Sequence, residues 1–169
     1  VTLLAGCDLF DGGQARYESP DQASAALLAA VSSGETSAML RVLGEDALPL
    51  VESGDAIEDA NTRNEFVALY ADAHRWESEA ADVSTLVVGP EDWPFPFPLV
   101  SEGGAWRFDT TNGIEEILDR RIGENELSAI QASLAYVDAQ REYYWLNPEG
   151  ASLLHYASSL VSTEGRKDG

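Results

Sequence analysis

Between Trp93 and Val100 the chain reads Trp-Pro-Phe-Pro-Phe-Pro-Leu-Val, with prolines alternating with large apolar residues. Proline has no N–H to give to a ladder, so this stretch is expected as an edge strand or an extended polyproline-like segment. A period of two puts Phe95, Phe97 and Leu99 on one face and the prolines on the other. It also turns all the missing donors toward the same edge, which leaves the opposite edge free to pair. The expected partner is Ala105–Asp109, reached through a turn at Ser101-Glu102-Gly103-Gly104. Trp106 and Phe108 would then share the buried face, packed on a long helix through Leu127, Ile130 and Leu134.

The rest of the chain supplies helices on either side of this hairpin, which predicts an α+β fold. Ser19-Pro20-Asp21-Gln22 is a helix start, with a cap, a proline at the first position and a capping-box glutamine. Ala23, Ala26, Leu27, Ala30 and Val31 follow at helical spacing, and Gly34 ends the run. Shorter elements are expected from Thr36 to Gly44 and from Leu48 to Val51. A longer helix is predicted from Ala56 to Trp76, with Phe66, Leu69, Tyr70 and Ala73 aligned. Thr85–Val88 reads as a strand closed by Gly89-Pro90. Beyond the hairpin, helices are predicted over Gly113–Ile122, Glu124–Leu146 and Ala151–Val161. The order of helices and strands in the front half also looks like a cystatin-like or nuclear-transport-factor-2-like (NTF2-like) roll, a likeness of fold that carries no function.

Charge narrows the partners. Asp and Glu number 30 against 10 Lys and Arg, a net charge of −20. Such a surface repels phosphate, which excludes nucleic acid and disfavours anionic headgroups as partners of the folded part. Between Glu45 and Asp92 the acidic excess is densest, with Arg63 and Arg75 as the cations. A solvated acidic surface explains this without a ligand.

The single cysteine, Cys7, stands in Leu4-Ala5-Gly6-Cys7, which resembles a bacterial lipobox: a leucine, two small residues and the thiol that takes the lipid. Residues 1–18 are therefore expected to be a signal-peptide remnant, the lipobox and a flexible tether. Residues 19–162 would be one α+β domain and 163–169 a polar tail. Asp8 resembles an inner-membrane retention signal. The expected place is the periplasmic side of a bacterial envelope, with the membrane reached through the lipid alone.

Three strings are distinctive. They are Thr85–Val100, containing Trp-Pro-Phe-Pro; Gly104-Ala-Trp-Arg-Phe-Asp109; and Ile117–Leu127 running into Ala135-Tyr-Val-Asp-Ala-Gln-Arg-Glu-Tyr143. Over about Ser19 to Gly169 the chain resembles the family catalogued as domain of unknown function 2950, a group of exported bacterial proteins. Members usually continue past the equivalent of Lys167-Asp168-Gly169, so the resemblance implies a fragment at both ends. Members often carry an Asp- and Gly-rich loop where this chain has Asn147-Pro148-Glu149-Gly150. That departure argues against a calcium loop. The resemblance brings no activity.

Candidate chemistry is sparse. Tyr70 and His74, four apart on the predicted helix, share a face, and His74 titrates where a general base works. Packing of the histidine on the aromatic is the commoner outcome, and His155 beside Tyr156 reads the same way. The two histidines lack the spacing of a zinc site, and Asp55, Glu58, Asp59 and Asn61 lack that of a calcium loop. No metal or other cofactor is expected. Glu115-Glu116 in a first helical turn and Arg120-Arg121 at a helix end are explained by the helix dipole.

Trp93, Phe95, Phe97 and Trp106 join Tyr70 and His74 as the candidate pocket or docking residues. The leading expectation is a lipid-anchored, non-enzymatic binding or scaffold module with a protein or peptide partner. The alternative is a small-ligand or enzymatic roll-type pocket that uses His74 or a nearby carboxylate.

Overall fold

The computed structural model describes residues 13–166. The Leu4–Cys7 motif, Asp8 and the end at Lys167–Gly169 lie outside the described residues. The chain is α+β: helices, a small antiparallel five-strand sheet, and a long C-terminal helix. It divides after Leu118 into two units.

The front helices begin where capping chemistry dictates. In α1 (Pro20–Ser33) the Ser19 hydroxyl accepts the Gln22 N–H at 3.3 Å, and Gly34 stops the helix in the left-handed region. Next, α2 (Thr36–Leu43) buries Met39, Leu40, Val42 and Leu43. It ends at Gly44, where Thr110 approaches too closely for a Cβ to fit and donates its hydroxyl hydrogen to the Leu43 carbonyl. A single 3-10 turn leads into the short α3 (Leu48–Val51). At the start of α4 (Ala56–Asp72) an Asp55 oxygen accepts the N–H groups of Ile57 and Glu58 at 3.0 and 3.1 Å.

Here the structure corrects the sequence reading. α4 stops at Asp72, and His74–Ala80 is a strand, β1, rather than the last turn of a helix. The stop comes from afar: the Gly89 N–H donates to the carbonyls of Leu69 (3.2 Å) and Ala73 (2.8 Å). The chain then turns extended at Ala73 and pairs His74 with Val88.

The sheet runs β1–β2–β4–β5, with β2 at Val83–Val88, β4 at Leu99–Glu102 and β5 at Ala105–Phe108. The short β3 (Trp93–Pro94) also pairs with β2. The hairpin of β4 and β5 forms as expected, Leu99 opposite Phe108 and Ser101 opposite Trp106. Its two-residue turn, Gly103-Gly104, has both φ angles positive, the geometry that favours glycine in such hairpins.

The proline segment pairs differently from the expectation. Its usable edge at Trp93–Phe95 goes to β2: the Phe95 N–H donates to the Leu86 carbonyl at 2.7 Å, and Pro94 lies opposite Val87. Pro94 thus occupies a non-hydrogen-bonded position, where no donor is required. Leu99 and Val100 pair along both edges, with β2 and β5, so β4 is interior and not an edge. Between these pairings the register against β2 slips by two residues, from Val87↔Pro94 to Ser84↔Leu99. The slack is taken up as a bulge through Phe95–Pro98. Because of that slip, Pro96 is buried beside Phe97 and the clean separation of phenylalanine and proline faces is lost.

The core of this first unit joins both layers. Leu27 of α1, Leu86 and Val88 of β2, Leu99 of β4 and Phe108 of β5 are fully buried. Each such side chain contributes about 1.5–3 kcal/mol relative to exposure. Phe97 joins them with 3 % exposure. Leu127, Ile130 and Leu134, expected to be buried, are exposed, and the α5 residue against Phe97 is Gly113.

The tether reading does not extend to the residues before α1. Gln14 donates to the carbonyls of Val42 (3.0 Å) and Phe108 (2.7 Å), and Tyr17 exchanges two backbone hydrogen bonds with Trp106. These contacts extend the sheet at the outer edge of β5.

The long helix, α5 (Thr110–Leu146), is continuous where two helices were expected. Gly123 interrupts nothing; mid-helix glycine costs about 1 kcal/mol and does not force a break. In the second unit the chain turns at Asn147–Gly150, and residues 151–161 are irregular, with bends, rather than helical. Gln140 explains this: its side chain pairs with both backbone groups of Ala157, at 2.9 and 3.4 Å, and so replaces helical hydrogen bonds. Tyr144 and Tyr156 meet with their rings tilted, centroids 5.3 Å apart. Among the described residues no helix is long and apolar enough to cross a membrane.

Candidate functional site

In the first unit the helices and the proline segment enclose an open cleft of about 810 Å³. Such a volume falls in the range of sites that take small ligands, roughly 300–1,000 Å³. One wall is α4, through Thr62, Phe66 and Leu69. The opposite wall is the Trp93–Phe97 segment with the Gly89–Glu91 loop before it. The floor comes from Leu27 and Val31 of α1, Met39 and Leu43 of α2, and Ile117 of α5.

The aromatic wall is self-supporting. Phe95 lies at the centre, with ring centroids 5.3 Å from Phe66, 5.6 Å from Phe97 and 6.4 Å from Trp93. These tilted and edge-on contacts hold the bulged segment in place together with the hydrogen bonds at its two ends, from the Phe95 N–H to the Leu86 carbonyl and from the Asp109 N–H to the Pro98 carbonyl. Trp93 is 41 % exposed. Gly89 closes the corner where the two walls meet: its φ is +74°, and a Cβ there would stand 2.7 Å from Leu69 Cδ2. The corner therefore requires glycine twice over, for its backbone and for its space.

Polar groups gather at the rim. Glu58, Asp59, Glu65 and Glu91 line the cleft together with one cation, Arg63. Asp59 accepts the Ser53 hydroxyl at 2.6 Å and the Ser53 N–H at 3.2 Å. The Ser53 hydroxyl, first, then its N–H and the charge of Arg63 hold the Asp59 carboxyl below its ordinary range. A carboxylate stabilised in this way is a weak proton acceptor near neutral pH.

The sequence-derived candidates separate into two places. Trp93, Phe95 and Phe97 line the cleft. Tyr70, His74 and Trp106 are not among its lining residues. Tyr70 is buried, its hydroxyl 3.1 Å from the Ser24 hydroxyl. His74 does meet Tyr70, with rings 3.9 Å apart and nearly parallel, although it does so from the start of β1 and not from a helix. Its Nδ1 lies 2.9 Å from the Tyr70 carbonyl oxygen. A carbonyl only accepts, so the hydrogen sits on Nδ1. Trp106 is occupied by its backbone bridge to Tyr17. Cys7 lies outside the described residues.

Sequence reasoning missed Gly89, Phe66 and Leu69 as parts of one site. Gly89-Pro90 read as a turn, and the two α4 residues read as an ordinary core face. The only signal was the neighbouring aromatic-proline string, which implied an apolar surface needing a partner.

Away from the cleft, Glu102 is held by two guanidinium groups, Arg107 at 2.6 Å and Arg16 at 3.3 Å. The Arg107 hydrogen bond, above all, keeps the Glu102 carboxyl below its usual range. This cluster pins the segment before α1 to the hairpin. Among the described residues no three His, Cys, Asp or Glu side chains are grouped to hold a metal.

A family model described as a protein of unknown function (DUF2950) matches residues 14–169. No curated protein and no solved structure matches the chain.

Proposed function

The chain belongs to the DUF2950 family, and from that premise we propose that it is a non-enzymatic binding module of the bacterial cell envelope, tethered by a lipid on Cys7, whose site is the cleft between α4 and Trp93–Phe97. The observation that carries the reading is an open apolar cleft whose aromatic wall is built from the least ordinary segment of the sequence. The titratable groups also favour binding over catalysis. His74 stacks on Tyr70 outside the cleft lining, and Asp59 is stabilised as an anion by Ser53. The envelope location is supported by the Leu4-Ala5-Gly6-Cys7 string.

Two experiments test the two halves. In bacteria making the natural precursor, Cys7→Ser should abolish acylation and move the protein to the soluble fraction. Labelled palmitate entering the variant as it enters the wild type would refute the anchor. For the site, an apolar fluorophore should bind the wild type with one saturable equivalent, and Val31→Trp, which fills the floor, should remove that binding while the melting temperature holds. Undiminished dye binding in the filled variant would refute the cleft as the site.

A further inference from the structure

We infer that the cleft selects a small amphiphile that joins an apolar body to a protonated amine; this rests on the cleft being the binding site and adds the class of ligand. Two independent features of the lining carry it. The first is charge: four carboxylates, Glu58, Asp59, Glu65 and Glu91, share the rim with the single guanidinium of Arg63. An anionic head entering there meets repulsion, and a cationic one meets attraction reinforced by the face of the half-exposed Trp93. The second is the division of the lining: Glu58, Glu65 and Glu91 are exposed acceptors, and apart from Asp59 and the donors Ser53, Thr62, Arg63 and the Trp93 indole the remaining lining residues are apolar. Acceptors set beside an apolar surface match a ligand whose donating ammonium head is joined to an apolar body. The partly exposed Val31, Leu69 and Ile117 receive the apolar body.

The net charge of −20 attracts any cation to the whole molecule, so the test must separate the rim from the background. Three probes with the same tail, n-decylammonium, n-decanol and n-decyl sulfate, are titrated below their aggregation limits. Binding is followed by calorimetry and by the methyl resonances of Leu69 and Ile117. The expected result is one equivalent of decylammonium at these methyls, about fivefold tighter than decanol, as a few exposed ion pairs supply, with no saturable binding of decyl sulfate. The pair Glu58→Gln with Glu65→Gln should remove most of that advantage. The pair Glu115→Gln with Glu142→Gln, the same change of net charge outside the cleft lining, should leave it intact. Decanol binding as tightly as decylammonium, or both pairs having equal effects, would overturn the amine preference and leave the cleft as a site. None of the probes moving the Leu69 and Ile117 resonances would overturn both.

Discussion

The ring of Phe97 rests against the bare Cα of Gly113 in the first turns of α5, so closely that a Cβ on that glycine would overlap the ring. This contact joins the bulged proline segment to the helix that follows the sheet. It also inverts a general rule. Glycine inside a helix is ordinarily worse than alanine by about 1 kcal/mol. Here Gly113→Ala should instead destabilise, by about 1–3 kcal/mol, as overpacking does. Denaturant melts check the sign. Combining it with Phe97→Leu should recover part of the loss, because residues in contact are not additive. A stabilised single variant would contradict the contact.

Phe97 itself should behave as a core residue. At 3 % exposure, Phe97→Ala is expected to cost about 3–5 kcal/mol, a large share of an ordinary domain's stability. An unchanged melting temperature would mean that the ring is not packed as described.

Tyr17 supplies a prediction at high pH. Burial pushes its phenol up to about 12, against an opposing pull from Arg41. Its neutral form is thus favoured in the folded chain, and its contribution to stability is complete below the unfolded value of about 10. That contribution is lost as pH rises from there through about 12. Denaturant melts between these limits should show the wild type losing stability more steeply than Tyr17→Phe. Parallel pH profiles for the two proteins would contradict the burial of this phenol.

These residues also show what a sequence discloses. The start of α1 is local chemistry, written in Ser19, and so was legible; α4 was legible from the alignment of Phe66, Leu69 and Tyr70, and the Asp55 cap that starts it is a finding of the structure. The end of α4 was not, because its stop is the Gly89 N–H, contributed from beyond β2. β1 was missed because its only inward apolar residue is Trp76, set among Arg75, Glu77 and Ser78, so that no alternation stands out. The prolines correctly announced a segment with one usable edge, but the two-residue slip that buries Pro96 beside Phe97 depends on both neighbours of the segment. Trp93, Phe95 and Phe97 were identifiable as one apolar segment in need of packing. The cleft they line was not, since Phe66 and Leu69 come to it only through the packing of α4.

Charge should make the protein salt-sensitive. At a net charge of −20, like charges repel in dilute buffer, and added salt screens them. The melting temperature is therefore expected to rise between low and moderate ionic strength. A flat or falling profile would contradict a destabilising repulsion across the acidic surface.

The cleft as binding site is tested most directly by photolabelling. A decylamine carrying a diazirine on its tail, crosslinked at one equivalent and mapped by peptide mass spectrometry, should mark Thr62–Leu69 and Trp93–Phe97, and excess unlabelled decylammonium should suppress the marks. Labels found instead on the exposed apolar face of α5 at Leu127, Ile130 and Leu134, with the cleft walls unmarked, would contradict the account.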